Sequence, residues 1–89
     1  MDSDLLRSFV AFAESGSFNR AADRIGRTPS AFSMQMKRLE ELVDNKLFER
    51  DGRNVLLTPD GITFVGYARR ILSLQDEAMG KLRTQDASR

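Results

Sequence analysis

The fold of this chain is decided by residues 17–32, which read SFNRAADRIGRTPSAF. A small residue, Ala22, precedes Gly26 by four positions and Phe32 by ten. Two helices that cross through a short turn need a small residue at the crossing and a glycine to reverse the chain. They also need a large apolar residue to hold the second helix in place. The stretch therefore predicts a helix-turn-helix, although a purely structural helical hairpin uses the same residue types.

Both helices of this motif have clear start signals. The first is predicted over residues 18–25, after the N-cap residue Ser17. The second is predicted over residues 29–43, because Thr28 is a good N-cap and Pro29 suits the first helical position. Apolar spacing of three and four residues separates its two faces. The predicted buried face is Phe32, Met36, Leu39 and Val43, and the outward face is Ser30, Ser33, Met34, Lys37 and Glu41.

Further elements are predicted on either side of the motif. Residues 4–15 repeat apolar side chains at helical spacing and end at Gly16, so they form a preceding helix. Residues 46–50 and 54–57 flank Asp51-Gly52-Arg53, which is a strong hairpin signal because tight turns need positive φ. A last helix is predicted from Pro59 to about residue 85, a rod of roughly 40 Å at about 1.5 Å per residue.

Composition limits the class of protein. The 89 residues suit one small domain, with 40% hydrophobic and 30% charged residues. The longest apolar run is residues 9–13, so no membrane span and no signal peptide are predicted. The chain has no Cys and no His, so disulfides, thiolate metal sites and the commonest general base are excluded. We expect no metal, no cofactor and no enzymatic activity.

Positive charge is concentrated in one segment. Residues 20–38 carry a formal charge of +4, whereas the rest of the chain carries −3. A basic stripe on an almost neutral domain is one signature of a phosphate-binding surface. An unevenly charged solvated surface gives the same pattern, so charge alone does not decide between them.

The order of these motifs resembles the N-terminal domain of LysR-type transcriptional regulators of bacteria. The segments that carry the resemblance are LRSFVA (6–11), GSFNRAA (16–22), SAFSMQM (30–36), RLE (38–40), LFER (47–50) and LTPDG (57–61). It implies a mainly α fold: a winged helix-turn-helix in residues 1–58, with three helices and a two-stranded wing. A long linker and dimerisation helix follows in residues 59–89. It also implies that the C-terminal effector-binding domain of the family is absent from this chain.

The resemblance implies a cytoplasmic regulator that binds a two-fold DNA operator as an antiparallel homodimer. The full-length protein is expected to be a tetramer and to bind a small-molecule effector, with no membrane partner. Predicted base readers are Pro29, Ser30, Ser33, Met34 and Lys37, and predicted phosphate or minor-groove contacts are Ser17, Asn19, Arg20, Arg27, Thr28, Arg38, Arg50 and Arg53. The predicted dimer interface is Ile62, Val65, Ala68, Leu72, Met79 and Leu82.

Two residues depart from the family pattern. The family commonly has Gln where this chain has Pro29, and often Arg where it has Met34. Gln reads adenine and Arg reads guanine through paired hydrogen bonds, so this chain is expected to make fewer direct hydrogen bonds to base edges. Within the family, residues 27–31, 52–58 and 66–72 look most like the LrhA/HexA/PecT branch, which controls motility and exoenzyme or virulence genes.

The last helix carries two apolar strips. One contains Val65, Ala68, Leu72, Met79 and Leu82 near coiled-coil spacing, with Gln75 breaking the seam, and the other contains Ile62, Phe64, Tyr67, Ile71 and Leu74. One strip is expected to pack on the domain and the other on a partner. A single broad strip that serves one core is the alternative. For the chain as a whole, the competing function is a winged-helix module that binds protein rather than DNA.

Overall fold

The computed structural model describes the backbone of residues 2–87 and the side chains of residues 2–83. Within this part of the chain, four helices and one hairpin follow in the predicted order. They are α1 (Ser3–Ser15), α2 (Phe18–Arg24), α3 (Pro29–Val43), β1 (Phe48–Asp51), β2 (Asn54–Leu57) and α4 (Pro59–Ala87). The predicted mainly α winged helix-turn-helix with a long last helix is confirmed. The predicted boundaries differ from the observed ones by about two residues at most, as is usual at helix ends.

The helices begin and end at the residues that their capping chemistry predicts. The hydroxyl of Ser17 accepts the N–H of Arg20 at 3.3 Å, and that of Thr28 accepts the N–H of Ala31 at 3.2 Å. Each bond satisfies a backbone donor that the first turn of a helix leaves unpaired. Gly16 ends α1 in the left-handed conformation with φ 74°, where a side chain would be strained.

All six phenylalanines of the chain take part in one aromatic cluster at the centre of the domain. Neighbouring ring centroids lie 5.0 to 5.6 Å apart, and most pairs are edge to face. Such pairs add about 0.5–1.5 kcal/mol each beyond the area they bury. The cluster joins α1, α2, α3, the hairpin and α4 through Phe9, Phe12, Phe18, Phe32, Phe48 and Phe64.

A carboxylate on α3 fixes the start of the hairpin. Glu40 accepts the backbone N–H groups of Leu47 at 2.8 Å and Phe48 at 3.2 Å. Leu47 and Phe48 lead into the antiparallel pair of strands, which is closed by Gly52 with φ 63°. The side chain of Leu47 is buried in the core. The hairpin is therefore held against the C-terminal half of α3.

The hairpin also meets the first turn of α4 directly. The Thr58 hydroxyl donates to the carbonyl of Lys46 at 2.6 Å and accepts the N–H of Gly61 at 3.0 Å. A Cβ at Gly61 would overlap the carbonyl oxygen of Leu47. From the sequence alone, Gly61 is expected to interrupt the last helix only weakly. The structure shows instead that this position has no space for a side chain.

The long helix α4 lies along α1 and then extends beyond it. Ala68 is completely buried, and the Ser3 hydroxyl at the start of α1 donates to the side-chain oxygen of Gln75 at 2.7 Å. Gln75, predicted to break an apolar seam, therefore joins the two helices. The end of α4 past Gln75 makes the molecule elongated, with extents of 57 × 25 × 20 Å.

Candidate nucleic-acid interface

The turn between α2 and α3 has the geometry that its residue types predict. Ala22 is fully buried at the crossing, and Gly26 reverses the chain with φ 71°. The N–H of Arg27 then donates to the carbonyl of Ala22 at 2.9 Å. Phe32 locks the second helix, because its ring lies edge to face with Phe18 at 5.0 Å. This turn holds α3 at a fixed angle to α2 and leaves one side of α3 uncovered.

The predicted phase of α3 is confirmed. Phe32, Met36 and Leu39 are buried and Val43 is half-buried. Another face of the same helix is exposed and presents the five predicted base readers, Pro29, Ser30, Ser33, Met34 and Lys37. Met34 is 73% exposed, so the possibility that it belongs to the core is ruled out.

One contact on α3 was missed by sequence reasoning. The hydroxyl of Ser8, in the buried middle of α1, donates to the side-chain oxygen of Gln35 at 2.9 Å. Gln35 is half-buried beside the exposed face of α3. The bond orients α3 about its own axis, because it pins one flank of the helix to α1. No apolar pattern predicts such a pair, since both side chains are polar.

The start of α3 and the adjoining end of α2 form a shallow cleft of about 340 Å³. It is lined by Asn19, Arg20, Asp23, Arg27 and Pro29. Two guanidinium groups and one amide face a single carboxylate here, so the cleft is electropositive. Ser17 and Thr28 cap the two helices by accepting a backbone N–H, and the Thr28 hydroxyl also lies 3.4 Å from the Ser30 hydroxyl, where either can donate. These groups are suited to hold a phosphate oxygen.

A second cleft of about 270 Å³ lies between α3 and the hairpin. Lys37, Lys46 and Arg50 supply its cations, and Glu40 and Glu49 supply its carboxylates. One of those carboxylates, Glu40, already accepts hydrogen bonds from two backbone N–H groups. Arg50 pairs across the strands with Val55 and lines the same cleft, so it lies on the side of the hairpin that faces α3.

Lys46 is the basic residue of this cleft that sequence reasoning missed. It lies just before β1, outside any regular element, and its position depends on the bonds that Glu40 and Thr58 make beside it. The only signal in the sequence is its proximity to Arg50. Of the other predicted contacts, Arg53 is exposed in the hairpin turn, and Arg38 is exposed one helical turn beyond Met34.

Part of the predicted dimer interface packs within the single chain. Ala68 is 0% exposed, so its side chain has no surface left for a partner. Val65 and Leu72 are half-buried and pack against the core of the same chain, as do Phe64 and Ile71 of the second strip. The remaining three predicted residues, Ile62, Met79 and Leu82, are 64%, 51% and 55% exposed. Tyr67 and Leu74, assigned to the second strip, are also exposed.

In the described residues, no helix is long and apolar enough to cross a membrane.

The family described as "Bacterial regulatory helix-turn-helix protein, lysR family" matches residues 3–62. Over 86 residues, 97% of this chain, it is 54% identical to the HTH-type transcriptional regulator PecT of Dickeya dadantii (strain 3937). Over 82 residues, 92% of the chain, it is 55% identical to the HTH-type transcriptional regulator DgdR of Burkholderia cepacia. The similarity therefore includes PecT, as expected, but is not confined to that branch.

The aligned regions cover 27% of PecT and 28% of DgdR, so the chain spans about a quarter of the length of these relatives. Two solved structures match it along its whole length. The DNA-binding domain of BenM in complex with benA site 1 DNA has a TM-score of 0.92 and 35% identity, and each chain is covered completely. The DNA-binding domain of CbnR in complex with DNA has a TM-score of 0.88 and 35% identity, with the same coverage.

Proposed function

Because this chain belongs to the LysR family of bacterial regulatory helix-turn-helix proteins, we propose that it binds double-stranded DNA and regulates transcription. One observation carries the proposal. An exposed face of α3, made of short polar side chains, Met34 and Lys37, is held by a helix-turn-helix whose other faces are buried. A major groove admits a single helix presented in this way.

Base readout is assigned to the exposed face of α3. The hydroxyls of Ser30 and Ser33 both donate and accept hydrogen bonds, so they suit several base edges. Lys37 donates to guanine, and the flexible thioether of Met34 packs against the methyl group of thymine. Pro29 lacks an N–H and contributes only apolar contact. Readout by these residues is more apolar and less bidentate than readout by Gln and Arg at the same positions.

Phosphate and minor-groove contacts are assigned to polar and basic residues of the two clefts and the hairpin turn, to the two helix caps and to Arg38 on α3. They position the protein on the duplex and carry no sequence information of their own. The residues are Ser17, Asn19, Arg20, Arg27, Thr28, Arg38, Arg50 and Arg53, with Lys46 added from the structure.

We assign the exposed parts of α4 to a homodimer that binds a two-fold operator. The interface contains Ile62, Met79 and Leu82 from the original prediction, together with the exposed Tyr67 and Leu74. Each of these apolar side chains is more than half exposed in the single chain. Burying them against a second copy removes them from water and gives the domain the extra core that a chain this short lacks.

For the longer protein we propose the remaining features of the family. These are a C-terminal domain that binds a small-molecule effector, a tetrameric assembly and a cytoplasmic location, with no enzymatic role and no cofactor. The division into a DNA-binding domain over residues 1–58 and a dimerisation helix from residue 59 onward is part of the same proposal. What supports the division is that β2 ends at Leu57 and α4 begins at Pro59.

The salt dependence of binding tests the proposed function. Fluorescence anisotropy with a labelled duplex of mixed sequence is measured at several salt concentrations between about 50 and 200 mM. Cations that replace counterions on phosphates make binding weaken steeply with salt. A winged-helix module that docks on protein through apolar contacts gives no such slope. Absence of duplex binding at the lowest salt concentration contradicts the proposal.

A further inference from the structure

The methionines of this chain differ sharply in how far solvent reaches them. The chain has four methionines and no cysteine, so no thiol of its own competes with them for an oxidant. Met34 is 73% exposed on α3, whereas Met36, two residues further on, is 1% exposed in the core. Met79 on α4 is 51% exposed. Among the side chains of residues 2–83, Met34 is therefore the methionine that a dissolved oxidant reaches most easily.

The position of Met34 gives its oxidation a specific consequence. Ser30, one helical turn before it, and Lys37, one turn after it, are exposed on the same face of α3. This is the face assigned to base readout, in which the apolar thioether packs against the methyl group of thymine. Met79 lies on a different helix, outside that face. A change of polarity at Met34 therefore acts on the contact with the bases, and the same change at Met79 does not.

We propose that Met34 is a site of reversible oxidation, at which a hydroperoxide converts the thioether to a sulfoxide and weakens the binding of selected DNA sequences. The inference rests on the proposed DNA-binding function and adds a chemical control of it. The sulfur lone pair attacks the outer oxygen of the peroxide, so that a sulfur–oxygen bond forms as the oxygen–oxygen bond breaks. The departing alkoxide takes the remaining proton and leaves as an alcohol, or as water when the oxidant is hydrogen peroxide. The sulfur loses two electrons and the peroxide gains them.

The sulfoxide is returned to a thioether by methionine sulfoxide reductases, one for each epimer at sulfur. Two thiols supply two electrons and two protons, the oxygen leaves as water, and the thiols become a disulfide. The exposure of Met34 leaves its sulfur open to the oxidant and to the reductase. The burial of Met36 protects the core, because a sulfoxide there would place a polar group among apolar side chains.

Binding weakens because a sulfoxide does not fit the place of the thioether. Its oxygen is a strong hydrogen-bond acceptor and the group has no donor. A thymine methyl group offers no donor to it, and phosphate oxygens are acceptors as well. An acceptor that is removed from water and left without a donor lowers the affinity, by about tenfold for one group. The contacts assigned to phosphate remain, so binding to a duplex of mixed sequence should change by less than about twofold.

Treatment with hydrogen peroxide tests the inference. Fluorescence anisotropy measures the affinity for a duplex selected from a random pool, before and after treatment of the unchanged chain. Trypsin releases residues 28–37 as one peptide that holds both Met34 and Met36, and its fragment ions show which sulfur carries the added oxygen. Met34 should be oxidised first, and the affinity should fall about tenfold. The two reductases together with dithiothreitol should restore it.

Two variants show which methionine is responsible, and each is compared with itself before treatment. Met34→Leu has no sulfur on the reading face, so treatment should change its affinity by less than about twofold. Met79→Leu keeps Met34 and should lose about tenfold, as the unchanged chain does. An unmodified Met36 in the treated samples shows that the chains stayed folded while they were oxidised.

The outcomes separate this inference from the proposed function. An affinity that stays within about twofold when Met34 is fully oxidised overturns the inference and leaves the DNA-binding function intact. Equal losses by Met34→Leu and the unchanged chain overturn it as well, because the effect then arises elsewhere. An equal loss on the mixed-sequence duplex overturns the assigned action through the bases. Absence of duplex binding before treatment overturns the proposed function, and the inference with it.

Discussion

Met34 is the exposed residue of α3 whose chemistry differs most from the family pattern. It is 73% exposed, whereas Phe32 and Leu39 on the same helix are buried and Leu42 is 55% exposed. Met34 is assigned a contact in the complex because it shares the exposed face of α3 with Ser30 and Ser33. The proposed contact is a thymine methyl group.

Replacing Met34 with Arg should therefore change which bases are preferred. Bidentate hydrogen bonds to guanine are expected to favour that base at one position of each half-site by about 1–3 kcal/mol. Sequence profiles selected with the two proteins make the comparison. Leu42→Arg is the control, because Leu42 is also exposed on α3 but lies outside the proposed reading face. Identical profiles for Met34→Arg and the unchanged chain would show that residue 34 does not reach the bases.

Gly61 is needed because its surroundings have no space for a side chain, and not because it makes the backbone flexible. Its backbone lies so close to the Leu47 carbonyl that a methyl group would overlap it. Gly61→Ala should lower the free energy of unfolding by about 1–3 kcal/mol, the usual cost of overpacking. Gly66→Ala, on the same helix with nothing within 4 Å of the added carbon, should instead raise it by about 0.5–1 kcal/mol. Chemical denaturation measures both, and equal effects would contradict the assigned contact.

At the scale of elements, local patterns predicted most of the architecture. The helical spacing of apolar residues predicted the buried and exposed faces of α3, and the capping residues Ser17 and Thr28 predicted where α2 and α3 begin. Gly26 and Gly52 were placed correctly, because positive φ is a local property that a tight turn requires. The predicted base readers are all exposed for the same reason, since the phase of one helix determines its outward face.

What the sequence did not predict depends on contacts between distant residues. The bond from Ser8 to Gln35 and the two bonds from the hairpin to Glu40 join polar residues that have no periodic signal. The burial of Ala68 within its own domain was not predicted, because it depends on which side of α4 meets α1. Lys46 was missed because a loop residue acquires its neighbours only when the loop folds.

The hairpin is expected to raise the affinity for DNA without favouring particular base sequences. Arg53 is exposed in its turn, where a guanidinium reaches phosphate or the minor groove. Arg53→Ala should weaken binding to unrelated duplexes by similar factors and should reduce the salt slope by about one unit. Arg83→Ala, a matched loss of charge near the far end of α4, should leave the slope unchanged. If only one operator were affected by Arg53→Ala, Arg53 would be a base reader.

At the scale of the whole molecule, α4 connects one domain to a second copy. A charge at Leu72 would disturb the fold as well as a dimer, because that side chain packs on its own core. Leu74 is 63% exposed in the single chain. Leu74→Glu should split the dimer while it leaves the fold intact, since only pairing buries the new charge.

Sedimentation velocity at micromolar concentrations measures this effect. Ser73→Glu is the control, because this neighbouring exposed residue is not among the apolar side chains assigned to the homodimer, and it should sediment as the unchanged dimer. Equal dissociation by the two variants would mean that the interface has been placed on the wrong face of α4.

The central claim is that α3 reads DNA sequence as part of a symmetric dimer. The most direct measurement selects bound duplexes from a random pool with this chain alone and sequences the enriched population. The account predicts a motif with two inverted half-sites, whose centres are separated by about one helical turn or a multiple of it. Changing Ser33 and Met34 should alter the half-site bases and leave the spacing unchanged. Enrichment of no motif, or of one that does not change with these residues, would contradict the claim.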